Sequence, residues 1–137
     1  MGCVLDSTTV ISAERARQTA AQLIFTIQNK IGDQSVVLSA VGYTELLIGL
    51  RRETDSVRLR ARESFFDGLI QFAPVEPYTE QTAELAGRVG GQQAKLGNNI
   101  PFADLLIGAT ALKLDYSILT ANLRHFRMIP GLDVIPF

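Results

Sequence analysis

Tryptophan is absent from these 137 residues, and cysteine and histidine occur once each. The lone Cys3 has no internal partner, so a disulfide framework is excluded. A chain of this length buries roughly two-thirds of its unfolded surface and needs neither that staple nor a structural metal. Proline is scarce, at 5 residues, while 47% of the chain is hydrophobic and 20% charged. That balance excludes the collagenous, coiled-coil and disordered classes. No charge-free apolar run reaches the ~18 residues of a membrane span, and no charged, apolar and cleavable leader opens the chain. The expected compartment is the cytoplasm, with no membrane partner. Charge of one sign is lacking too: 13 Lys and Arg stand against 14 Asp and Glu, a net charge of -1. The sum neither requires nor excludes a nucleic acid, because binding depends on a local basic patch. Linkers, repeats and low-complexity segments are also missing, so residues 1–137 read as a single domain.

Hydrophobic patterning is what the chain does have. Cys3-Val4-Leu5 is a short apolar run stopped by the polar cluster Asp6 to Thr9, as in a buried strand that ends in a turn. Asp6 thereby falls at a strand's carboxyl end. Apolar residues recurring at Ala16, Ala20, Leu23, Ile24, Ile27 and Ile31 predict one helix from Ala13 to Ile31, stopped by Gly32. A second strand follows at Val36 to Leu38. Two helices in hairpin form are expected at Val41 to Arg52 and Ser56 to Ile70, the second capped by Thr54. Phe72 to Val75 is a strand candidate, and Thr79 caps a helix to Leu96 that Gly87, Gly90 and Gly91 weaken. Pro101 belongs in the first turn of a helix that is apolar on nearly every side and therefore buried. Ser117 to Thr120 is a strand, Leu123 to Phe126 a helical turn, and Val134-Ile135 a last strand. Strands alternating with helical crossovers imply an α/β fold: a parallel sheet covered on both faces, with ligands outside the strands' carboxyl ends.

Most acidic residues lie in polar stretches such as Arg51 to Arg62, a solvated face with local ion pairs. Three border apolar elements instead. Asp6 follows a strand, Glu45 shares the stripe of Val41 and Ile48, and Asp104 is the only acid between Phe102 and Leu114. Burying a carboxylate costs several kcal/mol unless a cation or strong donors compensate it. Each acid has an ordinary explanation by itself: a turn cap for Asp6, helix surface for Glu45, a helix-start charge for Asp104. Together, at one edge of a doubly wound sheet, they suit an oxygen-binding hard cation such as Mg2+ or Mn2+. Asn122, two residues past the strand ending at Thr120, shares that edge, and its amide oxygen can bind a metal or a metal's water; a turn or cap role fits it equally.

The same residues carry a resemblance. Val4-Leu5-Asp6-Ser7-Thr8, Thr44-Glu45-Leu46, Ile100-Pro101-Phe102-Ala103-Asp104 with the following Leu105 to Ala111, and Leu119 to Phe126 occur in the order and spacing of a PIN-domain ribonuclease of the VapC toxin type. The resemblance covers the whole chain. It implies a three-layer α/β/α sandwich with a short parallel sheet, and an acidic site that holds Mg2+ or Mn2+ for RNA cleavage. Asp6, Glu45 and Asp104 match the acidic positions and inherit the role of metal ligands, directly or through water. Asn122 stands where many members carry Asp, removing a charge, and Thr8 where many carry Ser, keeping the hydroxyl. The resemblance further implies a homodimer, a cognate antitoxin, and structured RNA such as transfer RNA as substrate.

Phosphodiester hydrolysis agrees with this donor set, since divalent ions both activate water and stabilise charge on phosphate. The single His125 reads as a turn residue packing beside Phe126 rather than a base, and Cys3 as a small core residue. Of the Arg residues, Arg124 and Arg127, just past Asn122, are the expected phosphate contacts; those between Arg51 and Arg62 fit a paired surface, and Phe65 and Phe66 fit core packing. Two other functions use similar parts. A receiver-like phosphoacceptor also gathers acids at strand ends, but the first strand here ends in one acid, not a pair, and no Lys follows a late strand. A non-catalytic RNA- or partner-binding module with a degenerate site is the other, supported by Asn122 alone.

Overall fold

The computed structural model describes residues 1–137. Five strands, β1 (Gly2–Leu5), β2 (Ser35–Ser39), β3 (Val75–Glu76), β4 (Ser117–Thr120) and β5 (Val134–Pro136), form one sheet in the order β3-β2-β1-β4-β5. Every neighbouring pair is parallel. The chain starts in the middle, builds outward to one edge through β2 and β3, then returns to build the other through β4 and β5. The direction of winding changes between β1 and β4, where Leu5 pairs with Leu119, and that switch opens a crevice at the strands' carboxyl ends.

The pleat divides the core in two. Cys3 and Leu5 point to one face, against Leu23 and Ile27 of α2 (Ala20–Ile31), Leu46 and Leu50 of α3 (Ala40–Arg51), and Phe66 and Leu69 of α4 (Ser56–Phe72). Val4 and Ile118 point to the other, against Val89 of α5 (Glu80–Lys95), Ile107 and Ala111 of α6 (Phe102–Leu114), and Phe126 of α7 (Leu123–Phe126). This is the α/β/α sandwich expected, and each fully covered Leu or Ile contributes about 1.5–3 kcal/mol of burial. Phe65, Phe66 and Cys3 are core residues, as expected. Glycine at 90 permits the α5–α6 contact: a Cβ there would stand 2.7 Å from Leu105 Cδ2. No helix is long and apolar enough to cross a membrane.

Several boundaries differ from the sequence reading. Asp6 to Thr9 is no turn: Asp6 is the N-cap of α1 (Ser7–Arg15), which begins at once. The single helix expected from Ala13 to Ile31 is two, broken where Arg17 takes a left-handed φ of 57°. Thr19 and Gln22 then form a reciprocal capping box that restarts the helix. Local cap chemistry prevails there over apolar spacing that happened to run through the break. Asp55, not Thr54, caps α4, accepting from the Arg58 N–H at 2.9 Å. Phe72 closes α4, so β3 begins only at Val75. Pro101 occupies the N-cap position of α6 rather than its first turn. Helix α4 packs principally on α2 and less on α3, so the expected hairpin is a loose one.

Candidate active site

Strand β1 ends by delivering Asp6 into the crevice with its side chain 1% exposed. Its Oδ2 accepts the Thr8 hydroxyl at 2.6 Å and the Thr120 hydroxyl at 2.8 Å. Its Oδ1 is buried with no partner at all. Burial is the largest cause that pushes the Asp6 carboxyl above its ordinary value; the two hydroxyls and, least, the Ser7 backbone N–H oppose this, and the charge of Asp104 adds to it. Thr8 also accepts the Ala121 N–H, and Thr120 the Asn122 N–H, so hydroxyls stitch the start of α1 to the end of β4.

Glu45 lies one turn into α3, and the Ser7 hydroxyl donates to its Oε1 at 3.1 Å. The core-facing stripe of α3 is Gly42, Leu46 and Leu50. Ile48 is 56% exposed while Val41 is half-buried against the α6 side of the core, so the stripe that Glu45 was expected to share runs along the rim, and Glu45 reaches the site from there. Its carboxyl is nonetheless raised above its ordinary value, first by desolvation, then by the charges of Asp6 and Asp104. Asp104 stands in the first turn of α6, where backbone N–H groups favour an anion. Its Oδ2 lies 2.7 Å from His125 Nδ1 and 3.4 Å from Asn122 Nδ2.

The fold thus brings Asp6, Glu45, Asp104 and Asn122 to one edge, with the three acids in electrostatic reach of one another. It does not assemble a finished cage, since no three His, Cys, Asp or Glu groups stand close enough to share an ion as they are. The donor chemistry suits a hard divalent cation: oxygens only, one of them orphaned and buried. The four residues line none of the surface cavities, so this is an open edge rather than a closed pocket of the small-molecule kind.

The family profile described as "PIN domain" matches residues 3–131. The chain belongs to the PIN-domain family. The ribonuclease VapC19 of Mycobacterium tuberculosis is 31% identical over 130 residues, 95% of this chain and 96% of that protein. Among solved structures, the fold superimposes on VapBC2 of Rickettsia felis, determined bound to a fragment of its promoter DNA, with a TM-score of 0.85 at 16% identity, covering 100% and 99% of the two chains. It also matches VapBC-5 of M. tuberculosis, from the VapBC family of toxin-antitoxin systems, at a TM-score of 0.74 and 19% identity over both full chains.

Within this PIN fold, sequence reasoning missed Ser7, Thr120 and His125. Ser7 and Thr120 looked like element ends. Ser7 directly follows Asp6 and Thr120 closes an apolar run, and those positions were the only available signal. His125 is no bystander beside Phe126, because its ring contacts Asp104 directly. Around the Arg-rich stretch, the paired surface expected is present: Arg58 meets Glu53 and Asp55, Arg51 meets Glu63, and Arg62 grips Glu14 at 2.8 Å. Arg15, Arg17 and Arg52 make no ion pair and line an open groove of about 870 Å³, beside Glu14 and Glu53, which pair with Arg62 and Arg58. Arg124 and Arg127 are exposed past the site.

Proposed function

We propose that residues 1–137 act as one PIN domain, a Mg2+- or Mn2+-dependent endoribonuclease that serves as the toxin of a toxin-antitoxin pair. The observation that carries this reading is the orphaned, buried Oδ1 of Asp6 with two further carboxylates in electrostatic reach at the switch point of the sheet. Three acids converging without a cation cost free energy, which a divalent ion held by Asp6, Glu45 and Asp104, directly or through water, removes. When bound, such an ion would lower the pKa of a water, so that it loses a proton near neutral pH and becomes a nucleophile for phosphate, and would offset the charge that develops there. The protein's own residues do the positioning. Thr8 and Thr120 hold Oδ2 of Asp6 and so aim its other oxygen, Ser7 orients Glu45, and Asn122, its amide nitrogen turned to Asp104, keeps its oxygen for a water's hydrogen.

An open edge suits a polymer, and the ribonuclease relative supports RNA as its class; a structured RNA such as transfer RNA is the substrate proposed. Arg124 and Arg127, just past Asn122, and the groove of Arg15, Arg17 and Arg52 offer bidentate phosphate contacts. Helices α1 and α3, which supply Ser7 and Glu45 at the site, carry Arg15 and Arg52 at their far ends, about 10–12 Å along. The toxin-antitoxin structures support a cognate antitoxin, which would place an Arg or Lys against the three carboxylates. Ile48 and Phe102, 56% and 76% exposed beside Glu45 and Asp104, give protein partners an apolar border, whether that antitoxin or a second copy in a homodimer.

Pure protein incubated with RNA and Mn2+ should cleave it, and chelator should stop cleavage. Asp6→Asn and Asp104→Asn should each abolish it in folded protein. Cleavage that survives chelator sinks the metal reading; tight RNA binding without cleavage returns the non-catalytic module.

A further inference from the structure

Every hydrogen bond made by the Asp104 carboxylate goes to one of its oxygens, Oδ2. The shorter comes from His125 Nδ1, at 2.7 Å. That nitrogen also lies 2.8 Å from the Asn122 amide nitrogen. An amide nitrogen only donates and a carboxylate only accepts, so Nδ1 can serve one of them and not both. The contact to the carboxylate is the charge-assisted one, which places a proton on Nδ1 and leaves Asn122 its longer bond to Oδ2. The ring is not free to wander. Phe126, next to it in the four-residue helix α7, is completely buried, and the backbone N–H groups of Arg127 and Met128 close back on Leu123 and His125.

We propose that His125 is a positioning residue: by donating its Nδ1 proton to Oδ2 of Asp104, it fixes that carboxylate with Oδ1 directed to the divalent cation. The role rests on the metal-dependent reading above, and it follows the general pattern in which an outer partner orients a ligating carboxylate. It requires a donor at the Nδ1 position only. The rest of the ring, with Nε2 unbonded to the protein, is dispensable to it.

The geometry of amide side chains gives a direct test. In Asn the amide nitrogen falls near the place of Nδ1, whereas in Gln it falls near the place of Nε2. Mn2+ alone is titrated calorimetrically into wild type, His125→Asn, His125→Gln and His125→Ala, and each protein is melted in chelator. Mn2+ affinity should fall about 10-fold or more in the Ala and Gln variants and stay near wild type in the Asn variant. A merely structural link between α6 and α7 would instead lower the melting temperatures and leave affinity unchanged. Equal affinities in all four proteins, or a loss in Asn as large as in Ala, overturn the positioning role while wild-type Mn2+ binding upholds the metal site. A wild type that binds no Mn2+ removes both.

Discussion

Replacing Asp6 by Asn should stabilise the metal-free protein and remove most of its response to metal. In the native site the side chain is 1% exposed, with Oδ2 satisfied by two hydroxyls and Oδ1 by nothing. An unsatisfied buried acceptor costs about 1–3 kcal/mol, more when charged. Asn keeps an oxygen for Thr8 and Thr120 and removes the buried negative charge that Asp104 and Glu45 repel. Against this stands the loss of an anion at the start of α1, about 0.3–1 kcal/mol. The upward displacement of the Asp6 carboxyl decides the sign, because it means that the surroundings as a whole disfavour the charge. The balance is a gain of roughly 1–2 kcal/mol near neutral pH. With an unfolding entropy of about 2.1 cal/mol/K for each of 137 residues, this is a rise of about 3–7 °C in Tm. Excess Mn2+ at one hundred times Kd stabilises the wild type by about 2.7 kcal/mol, and the variant should lose most of that. Thermal melts of both proteins, in chelator and in excess Mn2+, provide the assay. A variant that melts lower in chelator yet keeps the full Mn2+ shift would refute this account and leave Asp6 as a helix cap.

The two raised carboxyls also set a pH dependence. Asp6 and Glu45 lie above their ordinary values of 3.8 and 4.5, chiefly through desolvation, so the native protein retains protons that the unfolded chain has released. Stability from this source is present below the unfolded value and lost as pH rises through the native one, so the advantage of Asp6→Asn in chelator should grow from pH 4 to 7 by urea unfolding. A constant difference across that range contradicts it. For the basic groove, joint replacement of Arg15, Arg17 and Arg52 by Gln should weaken RNA binding and flatten its salt dependence, by roughly 0.7 in log-log slope for each phosphate no longer neutralised. An unchanged slope by fluorescence titration confines RNA to the Arg124 and Arg127 side.

How much of this molecule its sequence determined follows from the range of the forces involved. Strand and helix alternation, the buried character of α6 and the place of Asp6 at a strand end are written in residues a few positions apart, where periodicity and burial act directly. The break between α1 and α2 was local too, in Thr19 and Gln22, but the apolar spacing across it concealed the cap. What sequence could not determine was which side of α3 carries Glu45, because Val41 and Ile48 make as good an apolar stripe as Gly42, Leu46 and Leu50 until the sheet selects one. The partners of the acids were equally hidden. Ser7 meets Glu45 across 38 positions, Thr120 meets Asp6 across 114, and His125 meets Asp104 across 21. Only the packing of α1 on α3, the parallel pairing of β1 with β4 and the packing of α7 on α6 close those distances. A hydrogen bond extends about 3 Å and leaves no periodic trace along the chain, so the tertiary structure alone decided which hydroxyls and which imidazole would hold the carboxylates.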